Sequence, residues 1–164
     1  MWKGQHWKLY LRRGRASVVP WTGVRGMKKE KIKTLLIEPL MAPRIAYLEP
    51  SMRAFRKAVR ADTLKYGDVE AKKLEKNVYA IFNKDRFLCS LESLKPNRRI
   101  GDDIIIGNIY IMAINDKRFP ISLTDNQIST YALRFWNPEE FDDMDVIEAN
   151  CNTLFSRFLE DEDS

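Results

Sequence analysis

One stretch, Ile104 to Ile114, constrains the fold more than any other part of the chain. It is rich in β-branched residues and apolar at successive positions, where a half-buried strand would alternate. Such a segment must be covered on both faces, which predicts a central strand between two packed layers. Gly107-Asn108 interrupts it and predicts a bulge or a close backbone approach at Gly107. No apolar run reaches the roughly 18–20 residues needed to span a bilayer, so a cytoplasmic protein without a membrane partner is expected.

The other elements follow from period and punctuation. Thr34–Glu38 and Arg44–Glu49 read as strands joined by a hairpin loop over Pro39–Pro43. Ser51 is an N-cap candidate for a helix whose buried stripe is Met52, Phe55 and Val59. Thr63–Val69 reads as a weak edge strand and Asn77–Asn83 as a better one, while Phe87–Leu94 is ambiguous between strand and turn. Thr124 to Gln127 is a capping box, followed by Ile128, Tyr131, Ala132 and Phe135 on one helix face. Asp145 to Glu148 predicts a second capping box, with Ile147, Cys151, Leu154, Phe155 and Phe158 as the buried face and fraying over the terminal acids. The fold class expected is α+β: a mixed, largely antiparallel sheet of about five strands, two packed helices and an acidic C-terminal helix.

Charge divides the chain into three. Residues 1–26 carry six basic residues and no acid, with three of the four tryptophans and the one histidine, His6. This segment is expected to be a disordered basic arm, or to lie upstream of a native start at Met27. Residues 27–136 form the α+β domain, with 21 basic and 13 acidic residues. Residues 137–164 hold ten acids and one base, Arg157, and form the acidic helix and tail. The pI near 9.2 therefore belongs to the first segment, and a whole-chain case for nucleic-acid binding fails.

With no histidine after His6, imidazole ligands and Ser-His or Cys-His dyads are missing from the domain. No phosphate-cradling glycine loop occurs, and Cys89 and Cys151 read as buried structural thiols. Asp102 and Asp103 are neighbours before a strand and so point to opposite faces, which makes a poor catalytic pair. No enzyme activity, metal or cofactor is expected. Two clusters are candidate partner- or anion-binding sites. Asn97, Arg98 and Arg99 form either a structural unit, with Asn97 satisfying loop amides and Arg98 paired to Asp102 or Asp103, or an anion site. Arg53, Arg56, Lys57 and Arg60 form either a solvated helix face or a phosphate-tracking one.

Several pieces together carry a resemblance: Ile37-Glu38-Pro39 ending a strand, the helix start at Ser51, Val78–Asn83, Pro96-Asn97-Arg98-Arg99, Asp103–Asn108 and Ser122-Leu123-Thr124. Over about residues 33–136 the chain resembles an uncharacterised domain-of-unknown-function family of Gram-positive bacteria, their phages and conjugative elements. It departs at Arg60-Ala61, where relatives usually carry glycine or small residues. The resemblance implies a small accessory protein of a mobile element, without an assigned activity. The function expected is binding to a host or element protein, in counter-defence or transfer regulation. The alternative is a nucleic-acid-associated regulator using the basic face of the first helix.

Overall fold

The computed structural model describes residues 6–12, 15–21, 30–61, 68–84 and 94–162. Its strands are β1 (His6–Arg12), β2 (Arg15–Trp21), β3 (Ile32–Ile37), β4 (Arg44–Leu48), β5 (Val69–Glu75), β6 (Val78–Asn83), β7 (Pro96–Ile100), β8 (Asp103–Ile106), β9 (Ile109–Ile114) and β10 (Pro120–Ile121). The helices are α1 (Met52–Ala58), α2 (Asp125–Arg134) and α3 (Asp143–Glu162). The main sheet has the order β1-β2-β5-β6-β9-β3-β4, with β10 also on β9, and β7-β8 form a separate pair. Every described pairing is antiparallel. The α+β architecture is as the sequence predicts.

β9 lies between β6 and β3 and is buried along its whole length. Because strand side chains alternate in direction, it feeds two cores. Tyr110, Met112 and Ile114 join Met52, Phe55 and Val59 of the α1 layer. Ile109, Ile111 and Ala113 join Tyr131 and Phe135 of the α2 layer. The expectation of one continuous strand from Ile104 to Ile114 is corrected: the run is two strands in two sheets. Gly107 is the break, with φ at +83°, a conformation that disfavours any residue carrying a Cβ. The apolar signal is continuous because β8 is also covered twice. Ile105 packs into the α2 layer, while Ile104 and Ile106 lie under Val146 and Ala149 of α3.

Local signals account for the helices. The Ser51 side chain accepts from the Ala54 amide, and Thr124 and Gln127 form the predicted reciprocal capping box. α1 ends in a left-handed residue: Arg60 has φ +60°, its amide donates to Lys57 O and that of Ala61 to Arg56 O. Arg60 therefore lies one residue past the helix cap, where its spacing had placed it on the helix itself. α3 starts earlier than predicted, because Asp142 and Asp145 cap it reciprocally at 2.8 and 3.0 Å.

Other corrections concern pairing and burial. Residues 6–12 and 15–21 pair as β1 and β2, with Ala16 opposite Ala71 of β5, in the segment expected to be a disordered basic arm or to lie upstream of a native start. The strand that pairs with β6 is β5, Val69–Glu75, which the sequence reading does not place; the expected strand Thr63–Val69 falls mostly outside the described residues, as do 85–93 with Cys89 and most of Phe87–Leu94. Cys151 is exposed rather than buried, as are Ile147 and Phe155; the side chains of Leu154 and Phe158 are not described. Among the described side chains of α3, the buried ones are Val146 and Ala149.

Ile111 is fully buried between β6 and β3, so Ile111→Ala should lower unfolding free energy by about 2–5 kcal/mol in urea titrations. A loss under about 1 kcal/mol would show that β9 does not organise the core.

Candidate functional site

Asn97 and Arg98 are adjacent on β7, yet both side chains are buried, at 0% and 1% exposure. In a regular strand, neighbours would point to opposite faces. The pairing explains the exception: Pro96 lies opposite Ile106 and Arg99 opposite Ile104, so two residues of β7 face one of β8. That bulge turns both polar side chains inward.

The Asn97 amide nitrogen donates to Ile37 O at 2.7 Å and Gly107 O at 2.8 Å, tying the end of β3 to the break between the sheets. Its oxygen accepts from Arg98 Nη1 at 3.1 Å. Arg98 Nη2 donates to Met41 O at 2.7 Å and Phe135 O at 3.1 Å, and Nε reaches Phe135 O at 3.3 Å. Phe135 is the C-cap of α2. The guanidinium thus occupies the negative end of a helix and satisfies a carbonyl that has no partner within it. Burial lowers the Arg98 pKa, and the carboxylate of Glu139 opposes that shift.

The expected pairing of Arg98 with Asp102 or Asp103 is not formed. Among the described residues its hydrogen-bond partners are carbonyl oxygens. Asp103 instead accepts from Lys72 of β5 at 3.0 Å, and the same ammonium donates to Ile100 O at 2.7 Å. This lysine fastens the β7-β8 turn to the main sheet. Gly101 is needed in that turn, having φ +63° and leaving room for Lys72 Nζ, which would lie 2.9 Å from a Cβ there.

Arg99 points outward and holds the chain between α2 and α3. Its amide donates to Glu139 Oε2 at 2.9 Å, and its guanidinium lies 5.7 Å from the Phe141 ring centroid. The three residues Asn97, Arg98 and Arg99 therefore lock the β3-β4 loop, the Gly107 break and the 135–141 connection together. Around this lock, large apolar side chains are exposed: Leu40 at 49%, Met41 at 52% and Trp136 at 55%. Composition gave no signal for that grouping, because it depends on Arg98 bringing Met41 O and Phe135 O to one nitrogen.

Arg53, Arg56 and Lys57 are exposed on α1, as a solvated helix face requires, and Arg60 is exposed just past its cap. Arg56 pairs with Asp68 at 3.5 Å. α1 covers the opposite side of the sheet from α2, so the two candidate clusters do not meet. Among the described residues, no helix is long and apolar enough to cross a membrane.

Comparison with known proteins finds no matching family model, no matching curated protein and no matching solved structure.

Removing the Arg98 fork leaves buried oxygens on Phe135 and Asn97, and a part-buried one on Met41, without their donor. Arg98→Met should therefore cost about 2–5 kcal/mol of stability. Arg98→Lys keeps the charge but cannot reproduce the planar fork, and should recover only part of that loss. Chemical denaturation of both variants checks this; full stability in Arg98→Met would remove the lock from the account of the fold.

Proposed function

We propose that this chain is a non-enzymatic accessory protein of a phage or conjugative element that acts by binding a partner protein. The observation that supports the reading is the group of exposed apolar side chains, Leu40, Met41 and Trp136, arranged around the buried Arg98 anchor. Tryptophan is enriched among residues that dominate binding energy, and methionine adapts to varied partners. Because Arg98 holds both backbone segments, these side chains start from a fixed base, and a partner need not bear the entropic cost of ordering it. The mobile-element setting, the cytoplasmic location and a role in counter-defence or transfer regulation rest on the family resemblance.

A second reading, a nucleic-acid-associated regulator, draws on the exposed Arg53, Arg56, Lys57 and Arg60. Against it, α1 is seven residues long and Arg56 is already paired. The local basic surface is therefore small.

Affinity capture with the full chain from native host cells, followed by mass spectrometry, separates the two. The protein reading expects a partner retained by the parent chain and by Arg53→Glu/Arg56→Glu, and lost with Met41→Asp/Trp136→Asp. Both double variants alter exposed positions; with the Arg56–Asp68 pair lost in one of them, native stability should stay within about 1 kcal/mol. Submicromolar DNA or RNA binding that falls steeply with salt and disappears in Arg53→Glu/Arg56→Glu would replace the first reading with the second.

A further inference from the structure

α3 is apolar on two opposite sides. Val146 and Ala149 face inward onto Ile104 and Ile106. Met144, Ile147, Cys151, Phe155 and Leu159 follow at spacings of three and four residues, which aligns them along one side of a helix. At 100° per residue, this stripe is centred roughly opposite the buried pair. Its large apolar members are well exposed: Met144 69%, Ile147 47%, Phe155 72% and Leu159 64%. A helix that only covered β8 would carry polar residues there.

Charge indicates what fits this stripe. Residues 143–162 include six acids and one base, Arg157, a net of −5. Asp143, Asp145 and Glu148 are exposed beside the N-terminal half of the stripe, and Glu160, Asp161 and Glu162 follow it in sequence. Pairing two copies of α3 along this seam sets acids against acids in parallel or antiparallel order, and like charges beside an apolar seam disfavour the pair. A helix with an apolar face flanked by lysine or arginine meets the same seam with complementary charge.

We propose that the outer side of α3 is a docking surface for a cationic amphipathic helix of a partner protein. It is a second surface, on a different element from the Met41–Trp136 group, and the fold already secures α3 to the domain through its opposite side. Apolar contact supplies affinity and the flanking acids select the sign of the partner's charge.

The test uses the full chain and three fluorescein-labelled peptides matching the 20-residue length of α3. One is a leucine/lysine heptad peptide, one replaces lysine with glutamate, and one scrambles the leucine/lysine order so that no apolar face forms. Fluorescence anisotropy at physiological salt should show binding of the first alone. Ile147→Asp/Phe155→Asp should weaken it at least about tenfold, with circular dichroism confirming that the helix persists. Asp143→Lys/Glu148→Lys, which leaves the apolar stripe intact, should move preference toward the glutamate peptide. Trp136→Asp should change nothing. Equal binding of the scrambled peptide would reduce the surface to charge alone and overturn the proposal, as would no binding at all. Self-association of the parent chain in sedimentation, lost in Ile147→Asp/Phe155→Asp, would assign the stripe to a second copy instead.

Discussion

The α2 side of this fold is arranged around a guanidinium that water does not reach. Burying a cation is costly unless oxygen atoms replace the lost hydration. Arg98 meets that requirement with the C-terminal carbonyl of α2, the carbonyl of Met41 and the side chain of Asn97. Two of these acceptors, on the β3-β4 loop and at the end of α2, belong to different segments, and the planar fork fixes how they approach one another. Arg98 thus contributes position more than net energy, and the exposed residues that follow from that position inherit its geometry.

A second fastening works beside it. Lys72 reaches from the main sheet to the turn of the β7-β8 pair, and Asn97 bonds across the Gly107 break. β8 and β9, in two different sheets, are joined by Gly107 and Asn108 alone and could pivot at Gly107. The bonds on either side of that residue turn the junction into a fixed corner.

What the sequence revealed was local in origin. Ser51 and Thr124 declared their caps because an N-cap needs only a side-chain oxygen and an amide two or three residues away. The two-faced burial of β9 was legible because apolar side chains at successive positions have no other stable environment. Non-local features were not. The inward turn of Asn97 and Arg98 depends on a bulge set by how β7 aligns with β8, which no spacing within β7 records. The charged strand β5, reading VEAKKLE, lacks the composition of a strand and is held by its neighbour β6. For α3, the apolar spacing from Ile147 to Phe155 was correctly seen as one side of a helix. That side faces outward, and Val146 and Ala149 pack against β8 in its place.

The order of strands in the main sheet also sets an order of events for a chain being made. β3 pairs on one side with β4, only a short loop away, but on the other with β9: Leu35 lies opposite Ile111, 76 residues later. β6 reaches β9 across a much shorter span, with Ala80 opposite Ile111. During synthesis β3 therefore leaves the ribosome with an apolar edge that stays open until most of the chain has followed. Long-range closures of this kind are slow, and an uncovered strand edge invites pairing with other chains.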